Sequence, residues 1–457
     1  MDLNALISLQ EWLWGRVLAN KIGVFRSNRV TKQFGVLLVV VGVLMHSGVV
    51  LATDVAVNAS PSAQSIDALR AWTSVPRADR KPLLEQPFAT TPLTASDATQ
   101  ARELLWADHV AIMKETRVEE MTAKELKAGN ASMKFETVDF PPEKAAEGTE
   151  PAKRALFFSM HGGGRAAARV NDSQWRNQVR LGHEYQPVNA IYVAPRGPAD
   201  SANLWSVAAV DDLFDRMIEN MIAINNVDSN QVYLMGYSAG GDGAYQLAPR
   251  MADRFAAASA MAGHPNDSSP LGLRNLPFTI HVGANDRAYG RNNIAKVWGE
   301  RLDALQAADP KGYEHFVHVH ADRGHWMNME DKEAIPWMQK FRRNPLPENI
   351  VWRQGNAVHD RFYWLAADKQ SVHVGDEVMA ERNGQTVTVN IKAGKPRVKV
   401  RLNDTLVDLD KPVAITLGAK EVFHGKLPRT MVALSRTIEE RGDPESIFAA
   451  EYELPAE

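Results

Sequence analysis

The chain has 457 residues, a formal net charge of −3, 23% charged and 45% hydrophobic residues, and no cysteine. That length exceeds what one hydrophobic core serves and predicts two or three units. The near-neutral charge gives no basis for a nucleic-acid or anionic-membrane partner, and the missing cysteines exclude disulfides, a thiol nucleophile and thiolate metal sites.

Taken in order, the chain opens with a basic region, Lys21, Arg26, Arg29 and Lys32, ahead of an uncharged apolar run at 35–52. Val50-Leu51-Ala52 then offers small positions for cleavage. This pattern predicts an export signal and a periplasmic or secreted product. Because the run is about 18 residues long, an uncleaved membrane anchor is the alternative. Residues 53 to about 95 are rich in Pro, Ser, Thr and Ala and read as a linker. A helical pattern with Leu104, Leu105, Ile112, Met113, Val118 and Leu126 covers 96–127 and stops at Gly129-Asn130. The alternating MKFETVDF at 133–140 predicts an edge strand.

From Arg154 onward, strand-like and helix-like stretches alternate. Strands are expected at 155–160, 190–194, 232–235, 255–261, 278–282 and 315–320, and helices notably at 211–224 and 295–307. The order predicts an α/β unit over 131–345, with a mostly parallel sheet covered by helices on both faces. Ligands of such sheets sit beyond the carboxyl ends of the strands. After about Pro345 the texture changes to short alternating runs, such as 385–402, 413–417 and 421–423, separated by turn residues. These predict a C-terminal β-rich domain over 346–457, with a helix near 431–440. The tripeptide Arg441-Gly442-Asp443 resembles an adhesion motif, which chance explains.

The chemistry concentrates at strand ends. Val232 to Met235 runs into Gly236-Tyr237-Ser238-Ala239-Gly240, followed by small residues suited to a helix. Strand, sharp turn and helix around a G-x-S-x-G expose a serine hydroxyl at the top of a sheet. The Ala239 amide would then open a helix and point at a developing oxyanion. The first strand of the unit ends in His161-Gly162-Gly163-Gly164, whose glycines let backbone amides turn inward. Asp286 follows the strand at 278–282, and His325 follows the strand at 315–320. Ser, Asp, His is the chain order expected of an α/β-hydrolase triad.

On Ser238, Asp286, His325 and the HGGG loop, the chain resembles the α/β-hydrolase superfamily over roughly residues 133–343. GYSAGG after an HGGG-type loop is most similar to secreted esterases of the poly(3-hydroxybutyrate) depolymerase and feruloyl esterase type, and to dienelactone-hydrolase-like and prolyl-oligopeptidase-like enzymes. Feruloyl esterases and depolymerases often carry disulfides near the site, and this chain has none. The resemblance implies Ser238 as nucleophile, His325 as general base and Asp286 as its orienting acid. It also implies Ala239 with Gly163 or Gly164 as oxyanion donors.

Rival residues exist for two roles. Asp267 competes with Asp286, and His264 with His325, while Asp322 lies too near His325 in sequence to orient it. His161, Trp175, Trp205 and Tyr237 are candidate substrate-pocket walls, and Arg165 and Asp172 candidate polar groups beside them. In HFVHVH, His318 and His320 share a strand face, but no partner at ligand spacing is visible, so no metal is expected. Only about 14 residues, HPNDSSPLGLRNLP, separate the strands near Gly263 and Phe278. That is too short for a helical cap and predicts an open site. No organic cofactor is called for. The expected function is hydrolysis of a small-molecule or polymeric carboxylic ester, with contact to a membrane only through the N-terminal segment. A serine peptidase and a binding protein on a hydrolase fold are the alternatives.

Overall fold

The computed structural model describes residues 59–141, 152–202 and 204–456. The export segment at 35–52 lies outside the described residues. No helix among those described is long and apolar enough to cross a membrane.

The stretch expected to be a linker is built into the core. Pro61 at N1 and the Ser60 side chain start α1 (Pro61–Ser74). Three short 3₁₀ turns follow, each introduced by a proline: Pro76, Pro82 and Pro87. The proline content that reads as disorder therefore supplies turn starts. The apolar residues between them, Ile66, Leu69, Leu83, Ala89 and Leu93, are buried. Helix α2 (Ala95–Ala123) is capped by Thr94, whose hydroxyl accepts from the Asp97 N–H. It ends four residues earlier than its sequence pattern suggests, because Lys124 turns left-handed. Leu126 then lies in β1 (Glu125–Ala128), which forms a hairpin through Gly129-Asn130 with β2 (Ala131–Phe140). The alternating strand is thus second from the edge.

The main sheet continues with β3 (Arg154–Met160), α3 (Ala168–Tyr185), β4 (Ala190–Pro195), α4 (Ala208–Asn225), β5 (Val227–Tyr237) and α5 (Ala239–Arg250). It is completed by β6 (Ala257–Met261), β7 (Phe278–Gly283), α6 (Arg291–Ala308), β8 (His315–His320) and the short α7 (Ala334–Met338). The strand order is β1-β2-β4-β3-β5-β6-β7-β8. β2 runs antiparallel to its neighbours, and β3 to β8 are parallel. Side-chain alternation sends Leu156, Phe158, Val232 and Leu234 to one face, into a core shared with α4, α5 and α6. Phe157, Tyr192, Tyr233 and Met235 face the other way, against Leu181 of α3 and Ile335 and Met338 of α7. Helices therefore cover both faces, as the sequence predicts.

The β-rich region holds two sheets. One has the order β16-β15-β13-β12-β9, built from β9 (Asn349–Arg353), β12 (Glu377–Asn383), β13 (Thr386–Ala393), β15 (Val413–Leu417) and β16 (Lys420–Gly425). The other has the order β10-β11-β14-β17, from β10 (Arg361–Phe362), β11 (Leu365–Ala367), β14 (Val398–Leu402) and β17 (Ala450–Glu453). Helix α8 (Met431–Arg441) precedes β17. No gap in the apolar packing marks residue 345. Trp352, Val387, Val400 and Leu434 belong to the same buried cluster as Leu156 and Leu105.

A buried charge network fastens the two parts. Arg254 pairs with Asp215 (2.7 Å), Arg343 with Asp443 (2.6 Å), and Arg441 with Asp253. Arg254 also approaches Asp443 at 3.8 Å, and Arg441 approaches Asp215 at 3.7 Å. Asp443 and Arg441 are buried, which removes the adhesion-like tripeptide from any partner's reach.

Candidate active site

The site is assembled at the carboxyl ends of β3, β5, β7 and β8. Between β5 and α5 the chain turns sharply at Ser238, with φ 60 and ψ −120. This backbone conformation is costly for a residue with a side chain and persists only where the surroundings enforce it. Packing enforces it here: a Cβ on Gly236 would lie 2.1 Å from the Gly240 carbonyl oxygen, so only glycine admits the turn. The Ser238 N–H is tied to the Met261 carbonyl of β6 (2.9 Å).

The Ser238 hydroxyl donates to His325 Nε2 at 2.9 Å, and His325 Nδ1 donates to Asp286 Oδ2 at 2.7 Å. Asp286 is only 2% exposed, whereas His325 is exposed. Tyr237 holds the histidine loop from below. Its hydroxyl donates to the His325 carbonyl (2.6 Å) and accepts from the Met327 N–H (3.0 Å). Burial pushes the Tyr237 phenol well above its ordinary pKa, so it stays a neutral donor. The rivals are engaged elsewhere. Asp267 accepts from Gln246, and His264 Nδ1 accepts from the Asn266 N–H.

The glycine loop divides the donors expected there. The Gly164 N–H is committed to Asn171 Oδ1 at 2.9 Å, which removes it as an oxyanion donor. The N–H groups of Gly163 and Ala239 have no partner among the described residues. Gly163 has φ +110, and a Cβ there would lie 2.3 Å from Asn171 Oδ1. Asn171, fully buried on α3, was not legible as a site residue; its amide also donates to Asp200 (2.7 Å) and to the Ala166 carbonyl. Arg196 braces the same loop through Asp172 (2.8 Å) and Asp200 (2.6 Å), so Asp172, a candidate polar group of the site, is engaged in supporting the loop.

Two clefts meet at Ser238. One, of about 610 Å³, runs past Gly163, Val170, Gln174, Tyr237, His325 and Trp326. The other, of about 340 Å³, runs past Gly164, Arg165, Ala239, Asp242 and His264. Tyr289 and Arg291 border both. Tyr289 is 81% and Trp326 47% exposed, so the clefts carry open aromatic faces. No described residue of the N-terminal region lines either cleft.

Three expected pocket walls are not walls. His161 is 0% exposed: Nδ1 donates to the Gly162 carbonyl, and Nε2 accepts from the Gly197 N–H at 3.0 Å. Burial pulls its pKa down to about 4, which keeps the ring neutral in that arrangement. Trp205 is 1% exposed and donates to the His161 carbonyl (2.9 Å), supporting the loop from inside. Trp175 donates to the Ala194 carbonyl (2.9 Å) and packs under the sheet instead of bordering either cleft.

No protein-family model matches this chain, and no curated protein is significantly similar to it. Solved structures are similar to about half of it. A thermostable esterase is 20% identical, over 48% of this chain and 62% of that one, with a TM-score of 0.33. A ferulic acid esterase is 18% identical, over 47% and 96%, with a TM-score of 0.32. A mutant of the feruloyl esterase module from Clostridium thermocellum, complexed with sinapinate, is 15% identical, over 48% and 86%, with a TM-score of 0.34. The chain thus spans 62% of the length of the first of these. Similarity at this level carries no activity across. The fold follows from the chain's own topology: a mostly parallel eight-stranded sheet, helices on both faces, and a strained serine between β5 and α5 make this an α/β-hydrolase fold.

Proposed function

We propose that this protein is a serine hydrolase acting on carboxylic esters. The observation that carries the reading is the unbroken relay from Ser238 to His325 to Asp286, 2.9 Å and 2.7 Å, on a serine held at φ 60. Ser238 Oγ attacks the acyl carbonyl, and its proton passes to His325 Nε2. Asp286 keeps the proton on His325 Nδ1 and stabilises the imidazolium that forms. The amides of Ala239 and Gly163 hold the oxyanion, each donor being worth about 10²–10³ in rate. His325 then gives its proton to the departing alcohol, leaving an acyl-enzyme. Water, activated by the same imidazole, attacks the acyl carbon and restores Ser238. No step calls for an organic cofactor.

The open aromatic faces of Tyr289 and Trp326 suit an aromatic or otherwise bulky acyl or alcohol group. The absence of a lining N-terminal segment among the described residues supports substrates that enter from bulk solvent. Export through residues 35–52 completes the reading and is checked by the fraction in which the full chain accumulates.

The test is labelling of the full chain with a fluorophosphonate probe, beside Ser238→Ala, together with hydrolysis of p-nitrophenyl esters and the matching anilides. Labelling lost in the variant, with esters turned over and anilides spared, is the expected outcome. A wild-type chain that takes no label refutes the assignment, and rapid anilide cleavage redirects it to a peptidase.

A further inference from the structure

The two strands that deliver Asp286 and His325 carry a second histidine group on one sheet face. His281 lies in β7, in register with His318 of β8, and His320 follows two residues later on the same face. The chain leaves β8 through the loop that holds His325 and returns in a 3₁₀ turn at Glu330–Glu333. Glu333 comes back against the three imidazoles. One ligand atom from each of His281, His318, His320 and Glu333 lies within 4.8 Å of all the others.

The spacings among His281, His320 and Glu333 approach those of a coordination shell. Metal–nitrogen bonds of about 2.0–2.1 Å in a tetrahedron put neighbouring ligand atoms about 3.3–3.4 Å apart. Here His281 Nδ1 is 3.3 Å from His320 Nε2 and 3.5 Å from Glu333 Oε1, and His320 Nε2 is 3.8 Å from Glu333 Oε1. Glu333 Oε1 also contacts His318 Nδ1. Two of the three outer ring nitrogens have a partner nearby. His281 Nε2 lies 2.9 Å from Thr279 Oγ1, and His320 Nδ1 lies 3.4 Å from Glu330 Oε2. With their protons on those outer nitrogens, His281 and His320 turn two lone pairs and a carboxylate oxygen towards one point. Such convergence is repulsive unless a shared proton or a metal cation sits between them. Hydrogen-bonded outer nitrogens are the usual support of metal-bound imidazoles.

We propose that His281, His318, His320 and Glu333 bind one divalent transition-metal ion of the zinc type. Three imidazoles and one carboxylate suit zinc or cobalt and disfavour calcium and magnesium, which take oxygen ligands. His281 and His320 are buried while His318 and Glu333 are partly exposed, so an ion can enter from that side. Its structural role follows from the connectivity. It ties the end of β8 to the 3₁₀ turn and so fixes both ends of the loop that carries His325. The sequence pairs His318 with His320 but conceals His281 and Glu333, which arrive from another strand and from beyond the loop.

The test uses the full chain, stripped with a chelator and titrated with Zn²⁺ by calorimetry and with Co²⁺ by visible absorption. The expected result is one ion per chain and the intense d–d bands of tetrahedral cobalt. Thr279→Val should weaken binding about 10–100-fold, as loss of an outer partner does. His318→Ala and Glu333→Gln, both at partly exposed positions, should lose stoichiometric binding while circular dichroism shows them folded. Loss in either folded variant supports the site. No stoichiometric binding by the wild-type chain, or binding and spectra unchanged in both variants, overturns it and leaves a proton shared among the rings.

Discussion

Asp286 sits at the rim of the sheet and bonds to the exposed His325 at 2.7 Å, with the Arg291 guanidinium farther off at 3.8 Å. Asp443 lies 0% exposed at the junction with the β-rich region and faces the guanidinium groups of Arg343 and Arg254. Both are buried carboxylates, yet their nearest partners differ in kind. An imidazole can take and return a proton near neutral pH, so a carboxylate beside it can tune a reaction. A guanidinium never gives up its proton under working conditions, so a carboxylate locked among arginines can only hold structure. Burial of a charge therefore does not by itself mark a functional site; the proton chemistry of the partner does.

The sharpest way to break that contrast is to remove the hydroxyl that starts the relay. Ser238→Ala should lower ester turnover on the order of 10⁶-fold and abolish fluorophosphonate labelling, with the melting temperature unchanged. Asp286→Asn should cost on the order of 10⁴-fold in kcat, by allowing the wrong His325 tautomer, and again leave stability nearly intact. Asp443→Asn should do the reverse. It leaves buried arginines without their counter-charge and should cost about 3–5 kcal/mol in urea unfolding, while kcat of the surviving folded protein stays near wild type. Equal losses of stability in Asp286→Asn and Asp443→Asn would collapse the distinction. Gly163→Ala drives a methyl group into Asn171 and should lower kcat on the order of 10²-fold, read in steady-state kinetics.

The smallest effect is a pH dependence of stability. Burial tends to raise the Asp215 and Asp443 carboxyls, but the surrounding arginines outweigh it and hold both well below the ordinary range. Stabilisation from a depressed carboxyl is fully present above the unfolded pKa of about 3.9 and fades as the pH falls towards the folded value. Thermal unfolding should therefore show a loss below about pH 4 that Asp443→Asn flattens. His161 adds an earlier slope. Its folded pKa of about 4 lies below the free value, so the unfolded chain takes up a proton first and stability falls between about pH 6.5 and 4.

Legibility in the sequence followed distance along the chain. The parallel strands, the turn at Ser238 and the glycine loop are local patterns, and each could be read from a few adjacent residues. The order Ser238, Asp286, His325 followed from the strand ends. The junction network could not be read, because Arg254 and Asp443 are far apart in sequence and look like ordinary surface charges. Composition misled for residues 59–95, where proline starts short turns instead of preventing them. His161 reads as a pocket wall because its strand-end position is visible in the sequence but its side-chain direction is not. Asn171 escaped notice for a related reason: its helix delivers it to the glycine loop from the side.

The packing of α2 against α8, and the bond from Arg102 to the Pro444 carbonyl between residues 342 apart in sequence, carry a consequence for biosynthesis. Ser238, Asp286 and His325 all leave the ribosome before the residues that close the core around them. Long-range closure of this kind slows folding, since the chain must order a large loop before any contact rewards it. A nascent chain halted after His325 would carry a complete set of reacting groups without the buried counter-charges at Asp443 that secure their scaffold. Synthesis order thus places the residues that close the core last, after the strand ends that carry Ser238, Asp286 and His325.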